Sequence, residues 1–211
     1  MFQDRKEAGK LLAEKLSKYK NKKDVLVLAI PKGGVPVAYE IAKKLKAPFD
    51  IVVIKKIGMP GNEELALGAA SIDDFYLNEE LAEQVSKQYL EEEVEVKQQE
   101  ARKKLNLMRG KKKMYSVKDK VIILVDDGVA TGATMIMGIK IIKKQSPEKV
   151  IVAIPVAPPI TVLKLEKEAD EVICLLQPEF FMSIGQFYND FTQVEDEIAK
   201  KMLIGAEKWQ K

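Results

Sequence analysis

Two adjacent carboxylates, Asp126 and Asp127, end an unbroken apolar run, Val121-Ile122-Ile123-Leu124-Val125, and Gly128-Val129-Ala130-Thr131-Gly132-Ala133-Thr134 follows at once. Paired acids accept hydrogen bonds and suit a hard, oxygen-liganded cation. The loop behind them lacks bulk: Gly128, Ala130, Gly132 and Ala133 let backbone amides approach a ligand closely, while Thr131 and Thr134 add hydroxyl donors. Met135 to Lys144 reads as a helix, whose free N-terminal amides and positive dipole end would face the loop and favour a phosphate there. A second strand, glycine loop and helix occurs earlier, with Val25–Ile30, then Pro31-Lys32-Gly33-Gly34, then an apolar-faced helical pattern over Val35–Leu45. That loop is either a tight turn or a second anion site with Lys32 supplying charge. Lys55-Lys56, at the end of the apolar run Phe49–Ile54, is either a solvated turn or a clamp on a polyanion.

Other chemistries are excluded by what the chain lacks. It contains no histidine, which removes Ser-His-Asp and Cys-His catalysis, His-ligated zinc and His-based acid/base work. An apolar strand ending in Asp-Asp also resembles the acidic element of nucleotide hydrolases, but no G-x-x-x-x-G-K-[ST] loop accompanies it: Lys32 precedes its glycines. No G-x-G-x-x-G follows a strand, so a dinucleotide site is not indicated either. Basic and acidic residues nearly balance, 35 against 32 for a net charge of +3, so any electrostatic recognition must be local. Cys174 is the single cysteine, and no signal pattern or long apolar run is present; a soluble, cytoplasmic protein is expected, without membrane or disulfide.

These residues need a scaffold. The runs Val25–Ile30, Phe49–Ile54, Val121–Val125, Val150–Ile154 and Val172–Leu176 carry no alternating polar partner, which suits strands covered on both faces. Separated mostly by helical patterns, they predict an α/β fold with a mostly parallel five-stranded sheet flanked by helices. With 211 residues, 46% of them hydrophobic, one domain is expected over 1–211. A helix capped by Asp4 is expected over Gln3–Tyr19, a short strand from Leu67 to Asp73 paired with Phe75–Leu77, and a long helix over Asn78–Met108. That helix belongs to a helical insertion at 78–113. Its acids, Glu91 to Glu100, precede its bases, Arg102, Lys103, Lys104, Arg109 and Lys111 to Lys113, giving a solvated face or a basic edge for polyphosphate or RNA. A C-terminal flap and helix are expected over 177–211, the helix starting from a capping box of Thr192 and Glu195. In the flap, Phe180, Phe181, Phe187 and Tyr188 either pack on the core or line a pocket for a flat heterocycle.

Val121 to Thr134 resembles, almost position for position, the ribose-phosphate motif of the type I phosphoribosyltransferases: an apolar strand, two acids, a glycine and a small-residue loop carrying T-G-x-T. Ile30-Pro31-Lys32-Gly33-Gly34 resembles that family's pyrophosphate loop, Lys55-Lys56 its cationic contacts, and Gly58–Leu67 its mobile lid, so the likeness covers about residues 25 to 155. The resemblance implies transfer of ribose 5-phosphate from 5-phosphoribosyl-1-pyrophosphate to a nitrogenous acceptor, with release of pyrophosphate. Asp126 and Asp127 would hold the ribose hydroxyls and, directly or through them, Mg²⁺; Val129 to Thr134 would wrap the 5-phosphate; Lys32 and Lys55 or Lys56 would meet pyrophosphate. It also implies a homodimer. Ile30–Ala69, the charged helix and Pro178–Phe191 together resemble a bacterial and archaeal group of such enzymes whose acceptor is unassigned, and base-recognition segments of the adenine, orotate, uracil and hypoxanthine enzymes are not seen. The competing expectation is a regulator that senses the sugar donor and binds nucleic acid through Arg109–Lys113.

Overall fold

Period-two alternation explains why the central strands look uniformly apolar. In the computed structural model, which describes residues 1–109 and 115–206, Val25, Val27 and Ala29 enter one core with Val121, Ile123 and Val125, while Leu26, Leu28, Ile122 and Leu124 enter another on the opposite face of the sheet. Each strand therefore needs apolar residues at every position. In chain order the elements begin with helix α1 (Arg5–Lys15), strand β1 (Val25–Ala29), helix α2 (Gly34–Leu45) and strand β2 (Phe49–Ile51). Strands β3 (Lys55–Met59), β4 (Asn62–Ala70) and β5 (Phe75–Leu77) follow, then helices α3 (Glu79–Ala82) and α4 (Lys87–Arg109). The remainder is β6 (Val121–Val125), α5 (Ala133–Lys143), β7 (Lys149–Val156), α6 (Pro159–Glu168), β8 (Glu171–Leu176) and α7 (Asp196–Gly205).

The main sheet runs β2-β1-β6-β7-β8 with every pairing parallel, as expected. Residues of α1, α2, α4 and α7 fill the core on one face, through Leu12, Ile41, Leu45, Ala101, Leu105 and Ala199. On the other face α5 and α6 contribute Met135, Ile139, Ile142, Val162 and Leu165. Asp4 caps α1 as expected, accepting from the Glu7 amide at 2.8 Å. No helix among the described residues is long and apolar enough to cross a membrane.

Beside this sheet stands a small antiparallel hood of order β3-β4-β5, and several element bounds differ from those expected. Residues 57–67, read from the sequence as a loop without periodicity, form a hairpin turning at Pro60-Gly61, and Gly61 takes φ 75° in the turn. Its inner residues Ile57 and Leu67 are buried against Leu81, Tyr89, Leu90 and Val94. Lys55-Lys56 opens β3, beyond an end of β2 that comes at Ile51 rather than Ile54. The expected helix over 78–108 is two: Asn78 caps α3 through the Leu81 amide, the chain then bends at 83–86, and Ser86 accepts from the Tyr89 amide at 3.3 Å as α4 begins. The last helix starts at Asp196 with Glu195 as its flanking residue, because the Thr192 hydroxyl is bonded instead to Asp190 at 2.6 Å.

Candidate functional site

Parallel pairing of β1 with β6 brings the two glycine loops together. Ile30 donates its amide to the Val125 carbonyl at 2.9 Å, so the turn Pro31–Gly34, whose Pro31–Lys32 peptide is cis, lies directly on the acid pair. A Cβ at Gly33 would stand 2.8 Å from Asp127 Oδ1 and closer still to Oδ2, and one at Gly34 would stand 2.7 Å from the Val125 carbonyl oxygen. Glycine is needed at both positions for this approach.

The acids differ in their surroundings. Asp126 accepts the Asp127 amide at 2.9 Å and helps to line the cavity described below. Burial first, then the adjoining Asp127, pushes the Asp126 carboxyl well above the ordinary range, with Arg5 pulling the other way. Asp127 is held by a residue for which the sequence offered no signal. Arg5, in the first turn of α1, donates from Nε to Asp127 Oδ2 at 2.7 Å and from Nη1 to the Thr192 carbonyl at 2.8 Å. Its guanidinium lies 3.9 Å from the Phe191 ring centroid, and the two paired side chains are only 11% and 10% exposed. Tyr188 donates its hydroxyl to the Asp127 carbonyl at 2.6 Å, closing the underside of the turn.

Beyond Asp126 a cavity of about 230 Å³ is lined by Gly128–Met135 and Ile184. The Val129 amide is spent on the Val156 carbonyl at 2.9 Å, and Thr161 donates to the Ala130 carbonyl at 2.6 Å, fixing the loop from outside. Gly132, at φ 88°, turns the chain into α5 with no side-chain cap, and among the described residues the amides of 130–134 have no protein acceptor. A loop of unclaimed amides opening a helix is an anion receptor.

The cations are held by carboxylates of two helices. Lys32 reaches Asp196 Oδ1 of α7 at 3.2 Å, and Lys55 reaches Glu100 Oε2 of α4 at 3.0 Å. Strand alternation turns Lys56 to the opposite face of the hood from Lys55. The aromatic cluster divides. Phe180 is 88% exposed, Phe181 stacks on Phe187 at 5.5 Å, and Tyr188 is buried beneath Asp127. From this segment it is Ile184 that lines the cavity, standing against Gly128, where a Cβ would meet it at 2.6 Å. Arg109 is not part of a surface patch: it is buried in an ion pair with Asp50 at 2.9 Å, and Lys111–Lys113 lie outside the described residues.

A phosphoribosyl transferase domain matches residues 3–192. The chain belongs to the phosphoribosyl transferase family. Two Mycobacterium tuberculosis proteins, from strains CDC 1551 and H37Rv and provisionally named phosphoribosyl transferases, are each 37% identical to it over 203 residues. The match takes in 93% of this chain but 45% of theirs, so the chain spans less than half the length of those relatives. The crystal structure of the Thermus thermophilus protein TT1426 superposes with a TM-score of 0.87 at 37% identity, covering 97% of this chain and 98% of that one. A Pyrococcus horikoshii purine phosphoribosyltransferase shares the fold, with a TM-score of 0.50 at 18% identity over 90% of this chain and 92% of its own.

Enzymes of this family commonly work with Mg²⁺, and the donor set here fits such an ion only in company. No cluster of three or more acidic, histidine or cysteine side chains stands ready to hold a metal among the described residues, and Asp127 is already paired with Arg5. Two carboxylates suit an ion that keeps its waters and takes most of its ligands from a phosphorylated substrate.

Proposed function

We propose that the chain transfers a 5-phosphoribosyl group from 5-phosphoribosyl-1-pyrophosphate to a nitrogenous acceptor and releases pyrophosphate. The observation that carries this reading is what meets beyond the ends of β1 and β6: unclaimed amides at 130–134, the acids Asp126 and Asp127, and the Lys32-bearing glycine turn laid against Asp127. A sugar with a phosphate at one end, vicinal hydroxyls in the middle and pyrophosphate at the other calls for those three kinds of group.

Each residue then has a task. The 130–134 amides and the Thr131 and Thr134 hydroxyls hold the 5-phosphate, and Asp126 and Asp127 accept from the ribose hydroxyls. Breaking the anomeric C–O bond develops positive charge on the ribose and negative charge on pyrophosphate, so placed charges matter more than a base. Asp126 or Asp127 would hold Mg²⁺, directly or by way of water or ribose hydroxyls, and the ion would add neutralisation of the leaving group's charge. Lys32 and Lys55 stabilise the leaving group, exchanging Asp196 and Glu100 for phosphate oxygens. Gly33 brings the pyrophosphate loop against the ribose acids. The hood hairpin would cover the donor and exclude water.

Calorimetry of the sugar donor with Mg²⁺, followed by a pyrophosphate-release screen over purines, pyrimidines and small amines, tests this reading. Donor binding that is lost in Asp127→Asn, and release with one acceptor class, is the expected outcome. Absence of donor binding by the parent chain, or an Asp127→Asn variant with equal donor affinity and turnover, refutes it.

A further inference from the structure

The cations of the pyrophosphate side do not all lie on the motifs. Helix α4 places Lys97, Glu100 and Lys104 three and four residues apart, hence along one stripe, beside the buried stripe of Ala101, Leu105 and Met108 that anchors the helix to the core. Glu100 is the residue on that stripe that reaches Lys55. It is also the natural partner for Lys104 one turn on, but both of its oxygens are engaged, Oε2 by Lys55 and Oε1 by Lys97, each at 3.0 Å. Asp196 of α7, the acid that acts on Lys104 from another helix, pairs with Lys32. Lys104 is thus half-buried with no carboxylate within ion-pair range among the described residues.

Lys97 also faces Glu93 and Glu63, whereas Lys32, Lys55 and Lys104, from three elements, have the already paired Glu100 and Asp196 beside them. Burial, followed by repulsion from Lys55 and Lys32, pushes the Lys104 ammonium below its ordinary value, with Asp196 opposing. Partly desolvated positive charge in excess is costly unless an anion completes it. None of these lysines lines the amide-bearing cavity assigned to the 5-phosphate.

We propose that Lys104 of α4 is a third lysine ligand of the leaving pyrophosphate, joining Lys32 and Lys55 in a polyphosphate site. This rests on the donor assignment above and extends it to a residue outside the glycine loops and the acid motif. Pyrophosphate binding would relieve the repulsion among Lys32, Lys55 and Lys104 and would loosen the Glu100 and Asp196 pairs that fill the site without it. Lys104 then contributes to leaving-group stabilisation and couples α4 and α7 to occupancy.

The test uses the whole chain with Lys104→Met and Lys104→Arg, titrated calorimetrically with inorganic pyrophosphate, ribose 5-phosphate and the sugar donor, each with Mg²⁺, alongside thermal unfolding. Lys104→Met should bind pyrophosphate and donor about tenfold more weakly, the scale of one charge-assisted hydrogen bond. Ribose 5-phosphate affinity should be unchanged, and Lys104→Arg should recover most of the loss. A merely structural role for Lys104 would instead weaken all three ligands together or move only the unfolding temperature, and either result overturns the inference. So does a parent chain that binds no pyrophosphate, or a Lys104→Met variant that binds it as well as the parent. Lys104-dependent pyrophosphate binding in a chain that ignores both donor and ribose 5-phosphate would sustain the anion site while removing the proposed function.

Discussion

Replacing Gly33 by alanine isolates the contact between the two loops. The Gly33 backbone is helical, at φ −59° and ψ −37°, so alanine carries no conformational penalty there and the effect comes from one methyl group. That methyl would stand 2.8 Å from Asp127 Oδ1 and nearer to Oδ2, so the carboxylate must retreat by on the order of 1 Å to reach ordinary contact. Asp127 cannot retreat freely, because Oδ2 is bonded to Arg5 at 2.7 Å and its own carbonyl is fixed by Tyr188 at 2.6 Å. Losing a nearly buried, charge-assisted pair costs about 2–3 kcal/mol. For a chain of this size that corresponds to a melting temperature lower by roughly 5–10 °C. Affinity for the sugar donor should fall by about tenfold or more, since the same carboxylate is assigned to the ribose. Differential scanning calorimetry and donor titration measure both quantities. The double variant Gly33→Ala/Arg5→Met should be less impaired than the sum of the singles, because both act through one pair. A Gly33→Ala chain that melts with the parent and binds donor equally would refute the reasoning.

Arg5→Met should show a pH-dependent deficit. Asp126 is already raised above the ordinary 3.8 of a free aspartate by burial and Asp127, and Arg5 opposes that rise. A carboxyl raised in the folded chain binds more protons there than when unfolded, so its contribution to stability falls as pH climbs from the unfolded value through the folded one. Removing Arg5 extends the climb, so the deficit in denaturant midpoint should grow toward neutrality and shrink on acidification; a constant deficit would contradict this. At the opposite end of the strands, burial works to raise Glu171, yet hydrogen bonds from Lys149, Lys18 and Tyr19 outweigh it and hold the carboxyl at about 2 against an ordinary 4.5. Its stabilisation is present above 4.5 and lost as pH falls toward 2, so Glu171→Gln should be less stable than the parent at neutral pH and converge with it in acid denaturation series. Gly138→Ala in α5, whose new Cβ would meet the Ile54 and Leu124 side chains at an ordinary 3.5 Å, should raise stability by about 0.5–1 kcal/mol in denaturant melts without changing donor affinity.

The sheet was legible because a strand buried on both faces must be apolar at every position, and Val25–Ala29 and Val121–Val125 are. The glycine loops were legible because close approach leaves few alternatives to glycine, as Gly33 and Gly34 show against Asp127 and Val125. The hood hairpin was not, because its register is irregular between Ile57 and Met59 and its strand interior carries Gly58 and Gly68, which erase the alternation that marks a strand. The break between α3 and α4 was hidden by polar residues that suit helix and turn alike; Ser86 three residues before Tyr89 was the available sign. Thr192 looked like a cap but serves Asp190. Arg5 belongs to no motif, and Lys104 was one of several bases in a run; only three-dimensional placement separates either from its neighbours. Phe180 and Tyr188, alike in sequence as aromatics of one segment, end up at opposite extremes of exposure.

Arg5 has a consequence for how the chain is made. Phe2 exchanges backbone bonds with Phe187 and Asn189 at 2.8 Å each, and Arg5 bridges Asp127 and the Thr192 carbonyl. During synthesis the strands β1, β6 and β7 can pair before Thr192 emerges, but the bond from Arg5 to the Thr192 carbonyl joins residues 187 positions apart. Such distant partners meet late, since closing the intervening chain must precede any gain from the contact. Arg5 can therefore meet Asp127 before Thr192 is made, but the carbonyl that fixes the guanidinium comes later, and a nascent chain released short of Thr192 would carry the ion pair without that anchor.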